Sequence, residues 1–105
     1  MKPVFVYITC KDEQEALKIA KAIVQEKLAA CANILPGMKS VYFWEGEMQV
    51  DQETVLILKS HEALYPELEE KVKEIHSYDT PAILALPLIA GNLDYVEWMA
   101  GEMLV

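Results

Sequence analysis

The 105-residue chain predicts an α+β fold, a split βαβ sandwich of the ferredoxin-like kind. Three observations carry this. Two short stretches rich in β-branched and aromatic residues, Ser40–Trp44 and Glu53–Lys59, flank a Glu45-Gly46-Glu47 reversal and read as a central hairpin. A strand-length apolar run precedes the hairpin and another follows it, and a helix-periodic segment lies between each run and the hairpin. Val55-Leu56-Ile57-Leu58 does not alternate, so its strand is apolar on both faces and each face needs a cover.

Val4–Ile8 is the first strand, apolar throughout. Asp12 starts the first helix and Glu15 completes a capping-box pattern, with Glu13 at the positive helix end. Ala16, Leu17, Ala20, Ile23, Val24 and Leu28 form its apolar stripe, with Lys18, Lys21 and Glu26 on the wet side. Ala30–Leu35 begins the second strand, which Pro36-Gly37 bends or bulges before it resumes at Lys39. The polar Gln49–Gln52 segment of the return strand belongs at an exposed end.

Ser60 or a neighbour begins the second helix, with Pro66 in its first turn. Leu64, Leu68, Val72 and Ile75 form its stripe, and Glu67–Lys71 and Glu69–Lys73 are favourable i,i+4 pairs. The helix stops around 76–81, since Thr80 precedes a proline. Ile83–Leu86 is the last strand, and Pro87 marks an edge or strand end. Asp94–Met103 is a short terminal helix with Tyr95, Trp98 and Met99 available for packing. Right-handed crossovers place both long helices on one sheet face. The bare face is apolar as well, which predicts a closed homo-oligomer joined through that face and the long hairpin.

One domain over 1–105 is expected from the length. The net charge of −8, with all nine basic side chains lysine, argues against a nucleic-acid partner. Two cysteines, Cys10 and Cys31, suit a reducing compartment, and no segment reads as a signal peptide or membrane span, so a cytoplasmic protein without a membrane partner is expected. Four glycines form no phosphate loop or dinucleotide fingerprint, no metalloprotease or nucleophile-elbow motif occurs, and there is no arginine for acyl-phosphate chemistry. Neither an enzyme nor an organic cofactor is expected.

Candidate chemistry is confined to a few residues. His76, at a helix end beside a loop, reads either as a metal ligand or as a capping side chain. Cys10 shares the parity of Ile8 and reads either as a soft thiolate ligand or as a semi-buried thiol, and Cys31, between alanines, as core. Tyr42 and Trp44 have matching parity on one hairpin strand, and Glu53 and Lys59 bracket the other. With His76 and Tyr78 from a neighbouring loop, they form either an interface or an inter-subunit pocket for a small molecule.

The run Leu28–Ile34, then Ser40, Tyr42-Phe43-Trp44-Glu45-Gly46, Glu53, Lys59, His76-x-Tyr78, Pro81 and Tyr95 with Trp98 resembles the CutA divalent-cation-tolerance family over nearly the whole chain. The resemblance implies a ferredoxin-like subunit, a homotrimer built like the PII signalling proteins, a link to copper and other divalent ions, and no established catalysis. Two readings of function follow: a metal-binding trimer using His76 with Cys10, and a PII-like signalling trimer binding a metabolite in its clefts. Four positions depart from the family pattern. Ser77 and Ala82 stand where members often carry proline and glutamate. Ile75 replaces a second histidine found in some members, and Ile8 the cysteine through which some bind copper.

Overall fold

A computed structural model describes residues 1–104, and its elements alternate as the pattern predicts. Strand β1 (Pro3–Cys10) leads to helix α1 (Glu13–Gln25), then β2 (Cys31–Trp44) and β3 (Glu47–His61). A 3₁₀ turn at Glu62–Leu64 enters α2 (Tyr65–Ile75), followed by β4 (Ile83–Pro87) and α3 (Leu93–Glu102). The sheet runs β2-β3-β1-β4 with every neighbouring pair antiparallel.

Strand β1 sorts its residues by parity. Val4, Val6, Ile8 and Cys10 are buried with the inner faces of α1 and α2, whereas Phe5, Tyr7 and Thr9 are half-buried on the opposite side. Register carries that second face across the sheet, through Ile57 beside Tyr7 on β3 and Leu84 beside Tyr7 on β4. Leu84 and Leu86 remain 59% and 49% exposed. Helix α3 reaches one end of this face, where the Lys59 ammonium donates to the Tyr95 hydroxyl at 2.9 Å and lies 6.0 Å from the centre of the Phe5 ring.

The β2–β3 hairpin outruns its neighbours. Pairing of β1 with β3 ends at Cys10↔Thr54, so residues 38–53 project as a two-stranded ribbon, and the molecule measures 45 × 26 × 21 Å. A register shift between Leu35 and Met38 is the bulge expected at Pro36-Gly37, and Gly37 has φ +82°. Glu45 and Gly46 both have positive φ, the signature of a tight two-residue hairpin turn. On one face of the ribbon Val41 pairs with Val50 and Phe43 with Met48, and Phe43 is 69% exposed. An isolated two-stranded ribbon is marginal in water.

Several boundaries and faces differ from the sequence reading. Strand β3 continues through His61 because Ser60 and His61 pair with Val4 and Pro3, and the buried Ser60 hydroxyl donates to the Leu28 carbonyl at 2.6 Å; the second α-helix begins at Tyr65. On α1 the buried set is Glu15, Ala16, Ile19, Ala20 and Ile23. Leu17 and Val24 lie exposed on the line through Lys21, at i, i+4 and i+7. Lys71 does not pair with Glu67. It reaches across to Glu26 near the end of α1 at 3.2 Å, while Lys73 and Glu69 form the expected pair at 3.5 Å. Cys31 is half-exposed rather than core, because it opens an edge strand opposite Lys59. Tyr95 and Trp98 stay partly exposed, and Met99 alone of that trio is buried.

Candidate metal centre and adjoining cleft

Three elements converge below the sheet end. Cys10 closes β1 on its buried side, Glu15 lies in the first turn of α1, and His76 caps the C-terminus of α2. Their Sγ, carboxylate and imidazole donor atoms all lie within 4.8 Å of one another, and all three residues are buried. It is the one group of three or more such side chains this close among the described residues.

Backbone groups hold each member. Asp12 caps α1 by accepting the Glu15 N–H at 2.8 Å, as the capping-box pattern predicts. The Glu15 carboxylate does not return to Asp12. It accepts the Lys11 N–H at 3.0 Å and the Ser77 N–H at 2.9 Å. Burial pushes the Glu15 carboxyl up, but the hydrogen bonds from Ser77 and Lys11 outweigh it and hold the group below its ordinary value of 4.5. A proline at 77, common in the resembling family, has no N–H to give, so the Ser77 departure makes one of these two bonds available.

His76 has a fully buried side chain. Its Nε2–H donates to the Thr9 carbonyl at 2.8 Å, and Nδ1 accepts the Tyr78 N–H at 3.1 Å. A backbone amide only donates and a carbonyl only accepts, so this pattern is the neutral Nε2–H tautomer with its one lone pair at Nδ1. Nδ1 lies 4.0 Å from Glu15 Oε1. Burial, then the charges of Glu15, Glu53 and Asp12, push the Cys10 thiol up to about 12.

Whether these residues fit a metal ion turns on three points. A thiolate, an imidazole and a carboxylate are the donors that zinc and copper take. Tetrahedral bonds of about 2.0–2.3 Å would set donors roughly 3.4–3.6 Å apart, so donors as far apart as 4.8 Å would have to close by roughly 1.2–1.4 Å. Cys10 must also give up its proton and His76 Nδ1 must give up the Tyr78 amide. The donor set fits, in a site that binding would have to rearrange.

Beside the cluster, on the open sheet face, is a cavity of about 660 Å³. Thr9, Tyr42, Trp44, Asp51, Glu53 and Tyr78 are among its walls. The Tyr42 hydroxyl donates to Asp51, and the Tyr78 hydroxyl donates to Glu53 at 2.8 Å. Burial and that bond push Tyr78 well above the usual phenol range. Asp79 adds a third carboxylate to the lining, which contains no lysine among the described residues. Tyr42, Trp44, Glu53 and Tyr78 are thus brought together, whereas Lys59 lies six residues along β3 with Tyr95. In the sequence Glu15 reads only as part of a helix cap. The available signal was that a capping glutamate in the first turn of the helix follows Cys10 by only five residues.

The architecture and the cluster together define a class: a small ferredoxin-like chain with a projecting hairpin and a buried thiol–carboxylate–imidazole group. The family model for the CutA1 divalent ion tolerance protein matches residues 4–102. The Thermus thermophilus divalent-cation tolerance protein CutA is 48% identical over 94 residues, 90% of this chain and 91% of that protein. The rice chloroplastic CutA 1 is 48% identical over 96 residues, and human CutA 37% identical over 93. The chain spans about half the length of these last two, 54% and 52%. The solved Thermus structure superposes with a TM-score of 0.93 at 44% identity, covering 96% of this chain and 98% of that one. The rice CutA1 crystal structure gives 0.95 at 45%, covering 98% and 94%. The chain belongs to the CutA divalent ion tolerance family. Relatives bear chloroplastic names and one solved relative is titled periplasmic, and no described helix here is long and apolar enough to cross a membrane.

Proposed function

We propose that this chain is a non-catalytic, cytoplasmic, homotrimeric protein that binds copper or another divalent ion through Cys10, Glu15 and His76. The observation that carries it is the convergence of three metal-donor types from three elements within 4.8 Å, in a chain of a family named for divalent-ion tolerance. Cys10 and His76 are the ligands expected from sequence, and Glu15 joins them. When bound, the ion links β1, α1 and α2. Cys10, shut from solvent with its thiol held protonated, is not built as a nucleophile. The trimer is supported by the exposed apolar ribbon and the Leu84–Leu86 patch.

The PII-like signalling reading has less support. This chain's walls of the cleft present Asp51, Glu53 and Asp79 with no lysine among the described residues, so they oppose a phosphate-bearing metabolite and favour a cation. Calorimetric titration with Cu²⁺ tests the metal reading. Wild type should bind near one ion per chain, and His76→Ala should weaken binding at least several-fold. An unchanged isotherm removes His76 from the site.

A further inference from the structure

His76 offers a single lone pair, and two acceptor-seekers compete for it. Nε2 carries the proton given to Thr9 at 2.8 Å, so only Nδ1, the nitrogen 4.0 Å from Glu15, can meet an ion held by Cys10 and Glu15. That lone pair receives the Tyr78 N–H at 3.1 Å. Tyr78 is at the same time a wall of the cleft. Its ring lies against the imidazole, with centroids 4.7 Å apart, and its hydroxyl is bonded to Glu53 at 2.8 Å. Trp44 lines the same cavity.

We infer that Tyr78 is a positioning residue that couples the buried cluster to the cleft: an ion at His76 Nδ1 displaces the Tyr78 amide, and the segment that carries the Tyr78 ring shifts with it. This rests on the metal reading above. The Tyr78–Glu53 bond therefore opposes metal binding, because it holds the 76–78 segment in the arrangement where the amide occupies Nδ1. Linkage makes the effect reciprocal: an occupant that pins Tyr78 and Glu53 together weakens the metal, and a metal loosens the cleft. Glu15 and Cys10 touch the ion directly in this scheme. Tyr78 acts only through His76.

The test uses Zn²⁺, which undergoes no redox change with the thiol, on wild type, Tyr78→Phe, Glu53→Gln and Cys10→Ser, all in a Trp98→Phe background that leaves Trp44 as the one tryptophan. Losing a net hydrogen bond of about 1 kcal/mol corresponds to about a five-fold change in affinity. Tyr78→Phe and Glu53→Gln should therefore each tighten Zn²⁺ by about three- to ten-fold. Trp44 emission should change along the Zn²⁺ titration with the calorimetric midpoint. A Cys10-dependent Zn²⁺ site with both variants at wild-type affinity and Trp44 silent overturns the coupling and leaves the metal site standing. Zn²⁺ binding that survives Cys10→Ser, or no binding, overturns both.

Discussion

Glu15 is the residue whose role changes most between sequence and structure. A glutamate three residues beyond an N-cap aspartate is read as a helix cap, and that reading is half right: Asp12 does cap, but the Glu15 carboxylate turns inward to Lys11 and Ser77. His76 and Cys10 were legible because imidazole and thiol are scarce and sit at element ends. Glu15 was not, because acidic residues are common and its bond to Ser77 spans 62 residues. The carboxyl is held below 4.5 in the fold, so the unfolded chain takes up the proton first. Stability from Glu15 is therefore present above pH 4.5 and is lost as the pH falls below it. Glu15→Gln leaves one buried amide without an acceptor and should cost about 1–3 kcal/mol at pH 7 in denaturant unfolding, with the gap to wild type closing below pH 4.5. A gap of equal size at pH 3 and pH 7 would show that the charge on Glu15 does not matter.

At the scale of elements, the long hairpin was readable in detail because its determinants are local. Gly46 with positive φ at the turn and the interruption at Pro36-Gly37 are backbone requirements visible in the residues themselves. The end of β3 was not readable, because Ser60 is kept in the strand by Val4 and by the Leu28 carbonyl, partners more than 30 residues away. The exposure of Leu17 and Val24 was missed for a related reason: an apolar stripe on α1 has two edges, and only packing decides which is buried. Gly37 makes the clearest test. A Cβ there would meet nothing within 4 Å, so any penalty comes from the backbone at φ +82° alone. Gly37→Ala should cost about 1 kcal/mol or somewhat more in chemical denaturation. No loss would mean that the bulge relaxes to another conformation.

The whole molecule leaves large apolar side chains exposed on both the ribbon and the open sheet face. Phe43 and Val41 on the ribbon and Leu84 and Leu86 on the open face are each about half exposed or more. That the second face would be apolar was legible from non-alternating strands, and the structure adds where it is uncovered. Light scattering at micromolar concentration should give three times the 11.9 kDa chain mass, and a single-chain mass would leave the ribbon without a partner surface. In the proposed metal site, a thiol, a carboxylate and an imidazole from three elements close on one ion. X-ray absorption at the zinc edge of the loaded protein tests it most directly. One sulfur near 2.3 Å with nitrogen and oxygen at about 2.0–2.2 Å is the predicted first shell; a shell of light atoms with no sulfur would contradict it.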